Sequence, residues 1–165
     1  MSSRKASFEP VADHRTRVLV LGSLPGAKSL EVRQYYANPT NQFWRLMGAV
    51  IGTDLAILDY AGRVERLLEA RIGLWDVIAD AERSGSLDAN IRNHRPNQFV
   101  ALADALPALR GLAFNGDKPA KIGRKLVASN PSFMLIDLPS SSAAYCSISL
   151  ADKAEKWKSL RQLLA

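Results

Sequence analysis

Arg17-Val18-Leu19-Val20-Leu21 runs directly into Gly22-Ser23-Leu24-Pro25-Gly26. Four consecutive apolar residues with no polar alternation predict a strand buried on both faces. Such a strand belongs inside a parallel sheet, with helices covering each side. Working outward, the same strand–helix rhythm repeats. Apolar residues at helical spacing predict helices over 41–51, 60–70, 97–106 (ahead of Pro107), 118–128 and a closing amphipathic helix over 150–164. Further strands are expected at 72–78, at 112–115 (closed by Gly116) and at 133–138 (stopped by Pro139). This order implies an α/β fold, a three-layer α/β/α sandwich around a four-stranded parallel sheet. Ligands of such folds bind beyond the carboxyl ends of the strands. Those ends fall at 22–26, at Asp76, at Asn115 and at 138–142. Residues 1–16 read as an N-terminal tail held by Phe8 and Pro10, and 17–165 as a single domain.

Composition narrows the class. A chain of 165 residues suits one compact domain, and 47 % hydrophobic residues suffice for a core. No window of about 18 apolar residues exists to span a membrane. The first 17 residues are mostly polar, with four Arg or Lys and no apolar signal core. Cys146 is the single cysteine, so a disulfide framework, a four-thiolate zinc site and a four-cysteine iron–sulfur cluster are excluded within one chain. A soluble, cytoplasmic protein is expected. The net charge of +6 favours a polyanionic partner, because neutralising phosphates releases counterions.

Three segments carry chemistry. Gly22-Ser23-Leu24-Pro25-Gly26 is a glycine-rich turn after a buried strand, where backbone can approach a phosphate or a sugar. It lacks both the Walker pattern and the dinucleotide fingerprint, and an ordinary strand-to-loop turn reads the same way. The segment 35–44, Tyr-Tyr-Ala-Asn-Pro-Thr-Asn-Gln-Phe-Trp, packs four aromatics and two asparagines into ten residues. Phe43 and Trp44 read as core. Tyr36, in a loop, offers a face for an extruded base. Asn41 either caps the helix that follows or positions a water. In 138–145, Leu-Pro-Ser-Ser-Ser-Ala-Ala-Tyr, Ser140, Ser141 and Ser142 offer donors to phosphate, and the small and aromatic residues after them could enter a duplex. A serine-rich turn is the plain alternative.

Together these pieces resemble the uracil-DNA glycosylase superfamily. The similarity is greatest to the hypoxanthine-DNA glycosylase branch, near the mismatch-specific uracil/thymine glycosylases. It rests on GSLPGAKSL, QYYANPTNQFW, GLWDVI followed by GSLDANI, AFNG, and LPSSSAAY, in that order from about Arg17 to Leu164. The resemblance implies the sandwich fold, base flipping, duplex DNA carrying a damaged base as partner, action as a monomer, and no metal or organic cofactor. One departure matters. The mismatch-specific enzymes carry a catalytic Asn in the Gly-rich loop where this chain has Leu24, and Leu cannot hold a water. The hypoxanthine branch shares that loss and assigns the activity to the Asn of its Pro-x-Asn-x-Phe-Trp segment, here Asn41. The histidine of the uracil-excising branch's second motif is also absent.

The resulting expectations are specific. Asn41 is catalytic and orients the attacking water. Gly22, Ser23, Leu24, Pro25, Tyr36, Asp76 and Asn115 form the base pocket. Asp76 reads the base, or else makes a cap or ion pair; Asn115 also fits a plain Asn-Gly turn. Gly26, Lys28, Ser140, Ser141, Ser142, Ala143 and Tyr145 contact DNA. Ser86 and Asp88 are expected to cap the turn that follows them. Three rivals remain at this level: a lyase using Lys28 or Lys118 as a desolvated nucleophile, a lesion-binding protein without turnover, and a small-molecule nucleosidase.

Overall fold

A computed structural model describes residues 4–128 and 132–165. At its centre β2 (Val18–Gly22) has all five residues buried. It lies between β3 (Ile72–Asp76) and β6 (Gly111–Asn115), with β7 (Met134–Leu138) outside β6; all neighbours are parallel, in the order β3-β2-β6-β7. The pleat sends alternate residues of β2 to opposite faces. Val18 and Val20 pack with Phe43, Leu46, Met47 and Trp157; Leu19 and Leu21 pack with Ile78, Phe99, Leu112 and Phe114. Each such apolar side chain contributes about 1.5–3 kcal/mol by leaving water. Two cores on one sheet make the three layers. Helices α2 (Phe43–Ile51), α3 (Tyr60–Glu69) and α6 (Leu150–Trp157) supply one face, and α4 (Phe99–Ala105) and α5 (Asp117–Val127) the other. The short α1 (Ala27–Val32) follows the Gly-rich loop. The closing segment is α6, a 3-10 turn over Lys158–Leu160 and α7 (Arg161–Leu164). Among the described residues no helix is long and apolar enough to cross a membrane.

The register aligns the carboxyl ends. Gly22 pairs with Asp76, and Asn115 with Leu138, so the polar and glycine-rich residues share one rim.

Two features depart from expectation. The strand expected over 72–78 divides. The backbone N–H of Val77 donates to Gly22 O at 2.8 Å and that of Ile78 to Ser23 O at 3.3 Å, so the chain is turned off the parallel sheet at the rim. It then enters a separate antiparallel sheet of β1 (Arg4–Ala6), β4 (Ile78–Arg83) and β5 (Ile91–Pro96), in the order β1-β4-β5. The expected tail is laid onto the fold from Arg4 onward. β1 pairs with β4, Ser7 N–H donates to Ala79 O at 2.8 Å, and Val11 exchanges backbone bonds of 2.9 and 2.8 Å with Leu74. A Cβ at Gly73 would lie 2.7 Å from Val11 O, so glycine is what admits this segment against β3.

Candidate active site

The loop after β2 turns at Gly22, where three groups converge. A Cβ placed on Gly22 would lie 2.9 Å from Asp76 Oδ1 and 3.0 Å from Tyr36 Oη. Glycine is thus what lets the backbone pass this close to the carboxylate and the phenol. Asp76, 3 % exposed, accepts a hydrogen bond from Ser7 Oγ at 2.9 Å on its other oxygen, Oδ2. Burial pushes its pKa up to about 7, from an ordinary value of 3.8. The Ser7 hydroxyl and the more distant Arg83 charge oppose that rise, and the carboxylate of Asp88 adds to it.

Tyr36 is fixed on every side. Its backbone is left-handed (φ 54°), its ring stacks on Phe43 at 3.8 Å and 10°, and its carbonyl accepts from Trp44 Nε1 at 3.2 Å. Its hydroxyl accepts from Asn115 Nδ2 at 3.2 Å. Burial, first, and the Asp76 charge push its pKa up, so the phenol stays neutral. One ring face is therefore spent on Phe43, and a base could use only the other.

Asn115 ties the rim together. Its Nδ2 also donates to Ser141 Oγ at 2.9 Å, and its Oδ1 accepts from Ser141 N–H at 2.9 Å. Both ends of the amide are committed. Ser141, 1 % exposed, is turned inward and does not present its hydroxyl to solvent as expected for a DNA contact. Its carbonyl accepts from Gln42 N–H at 2.8 Å, which joins the serine loop to the start of α2.

Asn41 stands at that junction. Its Oδ1 accepts from Phe43 N–H at 3.0 Å, while its Nδ2 has no hydrogen-bond partner among the described residues. The carbonyl closes an Asx turn just ahead of Gln42, the N-cap of α2, and its second lone pair remains open to a water. Both sequence alternatives are thus compatible in one side chain. Next to it, Gln42 Oε1 accepts from Lys153 Nζ at 2.9 Å, and the same ammonium donates to Ser142 O at 3.2 Å. Lys153 is 1 % exposed, and burial pulls its pKa down.

The serine loop continues through Ser140, whose Oγ accepts from Ser142 N–H at 3.1 Å, and Ser142, whose Oγ accepts from Ala144 N–H at 3.2 Å. Ser140 and Ser142 are half-buried, whereas Ala143, Tyr145 and Cys146 are exposed. Lys153 Nζ lies 5.3 Å from the centre of the Tyr145 ring.

On the opposite side, the Gly-rich loop is held from behind. Arg83 of β4, 2 % exposed, donates to Leu24 O at 3.3 Å and to Pro25 O, and its Nε is buried without a partner in the described structure. Leu24 and Pro25 are buried; the Leu24 side chain packs in the core with Leu19, Leu21 and Val77. Ser23 Oγ donates to Asp88 Oδ1 at 2.6 Å. Ser86 Oγ accepts from Ala27 N–H at 2.9 Å, next to Gly26. Ser86 and Asp88 therefore hold the Gly-rich loop and the start of α1 rather than capping their own turn. Lys28 is exposed, 3.8 Å from Glu31. Neither Lys28 nor the half-buried Lys118 is desolvated as a lyase nucleophile would be; among the described residues the buried amine is Lys153, and two of its three N–H donors are engaged by Gln42 Oε1 and Ser142 O. Among the described residues, no group of three or more His, Cys, Asp or Glu is placed to hold a metal ion.

Sequence reasoning missed Ser7, Gln42, Arg83 and Lys153. A signal existed for Lys153: Leu150, Lys153, Trp157 and Leu160 follow one helical stripe, and the other three are apolar.

The rim of the parallel sheet thus gathers the Tyr36–Phe43 stack, the Asn41 amide at the start of α2 and the serine loop. The family model of the uracil DNA glycosylase superfamily matches residues 9–163, and the chain belongs to that superfamily. Two hypoxanthine DNA glycosylases are similar. That of Methanosarcina barkeri is 46 % identical over 115 residues, 70 % of this chain and 73 % of its own length. That of Methanosarcina acetivorans is 44 % identical over 114 residues, 69 % and 72 % respectively. A candidate uracil DNA glycosylase from Methanosarcina acetivorans, solved by solution NMR, superposes with a TM-score of 0.85 at 37 % identity, covering 98 % of this chain and 99 % of the other.

Proposed function

We propose that the protein excises hypoxanthine from duplex DNA, with uracil and xanthine as lesser substrates, by flipping the nucleotide and hydrolysing its N-glycosidic bond. The observation that carries this reading is the setting of Asn41. Its carbonyl is fixed by Phe43 N–H at the junction of the serine loop and α2, beside the Tyr36–Phe43 stack. An N-glycosidic bond breaks toward an oxocarbenium-like sugar and an anionic base, so the water needs orientation more than deprotonation. A neutral amide with a pre-set carbonyl does this: it accepts a hydrogen bond from one water O–H and leaves the water's lone pairs facing the sugar.

The flipped base costs a few kcal/mol to unstack. The free face of Tyr36 recovers part of that by stacking. The base edge meets Asp76 at the strand end beside Gly22, with Ser23 and Pro25 forming the backbone wall. Ser140, Ser142, Ala143 and Tyr145 meet the duplex on one side of the rim, Gly26 and Lys28 on the other. The naming of both Methanosarcina relatives as hypoxanthine DNA glycosylases supports the choice of base.

The test is single-turnover excision on matched oligonucleotides carrying hypoxanthine, uracil or xanthine. Hypoxanthine should be released fastest, and Asn41→Ala should lower the rate by about 10²–10³-fold, the range for one positioning group. Duplex binding without base release by the wild type would identify a lesion-binding protein instead.

A further inference from the structure

We propose that Ser7, from the N-terminal segment, is a specificity-setting positioning residue: it holds Asp76 so that Oδ1 faces the base edge as a hydrogen-bond acceptor, which admits deaminated bases and rejects adenine and cytosine. This rests on the glycosylase reading above.

The geometry is asymmetric. Ser7 Oγ lies 2.9 Å from Asp76 Oδ2, and the opposite oxygen lies on the side of Gly22 and Tyr36 Oη, at the carboxyl end of the strand. Ser7 is itself rigid. Its N–H donates to Ala79 O at 2.8 Å, and the carbonyl of the next residue, Phe8, accepts from Trp75 Nε1 at 2.7 Å. Asn97 Nδ2 holds the Asp76 carbonyl at 3.2 Å. The Ser7 hydroxyl thus meets the carboxyl from a fixed backbone, while Asn97 holds the backbone of Asp76 itself.

Deamination changes one edge of a base in a defined way. The ring nitrogen of adenine (N1) or cytosine (N3) is a bare acceptor; in hypoxanthine or uracil the same atom carries a proton beside a carbonyl. A fixed acceptor pairs with the deaminated edge and faces a lone pair on the parent one. In a buried site such a mismatch leaves polar groups unpaired, a rejection worth about 10⁴-fold. The acceptor must be the ionised carboxylate. Burial above all, with Asp88, raises the Asp76 pKa to about 7 against the lowering pull of Ser7 and Arg83; the neighbouring Tyr35 and Tyr36 hydroxyls remain neutral. Of the lowering groups only Ser7 bonds the carboxyl directly.

The test is the pH profile of single-turnover hypoxanthine excision from pH 5.5 to 9.5 for wild type, Ser7→Ala and Ser7→Thr. The wild-type rate should rise with pH and level off above about 7. Losing one hydrogen bond to a charged group should move the Ser7→Ala rise up by about one pH unit. That is a roughly tenfold deficit near pH 6 that disappears by pH 9, and Ser7→Thr, which keeps the hydroxyl, should follow the wild type. Ser7→Cys, a weaker donor of similar size, should fall between them and serves if Ser7→Ala does not fold. A Ser7→Ala profile that superimposes on the wild type, or a deficit equal at every pH, overturns the proposal. Asn41→Ala in the same assay separates the two readings: its full activity would refute the glycosylase mechanism while leaving the Ser7 profile interpretable.

Discussion

Replacing Asp76 by Asn should stabilise the fold, and by an amount that depends on pH. The carboxyl is 3 % exposed, and burial displaces its pKa from 3.8 to about 7. The folded state therefore keeps the proton up to about pH 7, while the unfolded chain releases it near 3.8. Between those values the native state binds more protons than the unfolded one, so stability falls as pH rises; outside the interval it is flat. At about 1.36 kcal/mol per pH unit, the displacement from 3.8 to about 7 corresponds to a full penalty of about 4 kcal/mol above pH 7. At pH 5 less than half of it, about 1.6 kcal/mol, has developed. Asn is nearly isosteric, still bonds Ser7 and cannot ionise. Asp76→Asn should thus gain about 4 kcal/mol at pH 8, or roughly 8–16 °C in melting temperature for a chain of this size. Urea titrations at pH 5 and pH 8 read both values. Equal stabilisation at the two pH values, or none at pH 8, would refute the assignment of a buried, reluctantly ionised carboxyl. The same variant should excise hypoxanthine poorly, since an amide is a weaker acceptor than a carboxylate.

Two further outcomes bear on the rim. Lys153→Met keeps the length of the side chain but leaves Gln42 Oε1 and Ser142 O without their donor; stability should drop by roughly 1–3 kcal/mol. Excision by Lys153→Met should slow at saturating DNA, because the serine loop and the Asn41 corner lose their shared tie; an unchanged maximal rate would assign Lys153 to stability alone. Gly22→Ala places a methyl 2.9 Å from Asp76 Oδ1 and 3.0 Å from Tyr36 Oη. Overpacking of this kind costs about 1–3 kcal/mol, so the protein should still fold by circular dichroism while base release falls steeply; near-normal release would place the base elsewhere.

The central sheet was legible because burial on both faces writes an unbroken apolar run, as in 18–21. Gly22 and Asp76 were legible as strand ends that the parallel register then aligned. The antiparallel sheet was not. β1 is three residues long, β5 is almost wholly exposed, and β4 alternates irregularly around register shifts, so no apolar period marks them. Only Ile78, Ala81 and Ile91 of these strands are buried in the second core, too few and too unevenly spaced to write a period, and the backbone pairing that does the rest leaves little trace in composition. Ser7 stayed hidden for a related reason: it meets Asp76 across 69 residues of chain, with nothing local to announce it. Arg83 and Lys153 read as solvent-facing charges because a buried cation is rare unless paired, and their partners are mainly carbonyl oxygens contributed by distant loops. The serine run misled in part: its middle hydroxyl is absorbed by Asn115 and only its flanks face outward.

The lone thiol, Cys146, is exposed one residue beyond Tyr145, on the stretch expected to meet the duplex. A maleimide fluorophore would therefore attach at a single chosen-by-nature address, with no background labelling to engineer away. Stopped-flow emission from that dye would time the docking of DNA apart from the release of the base.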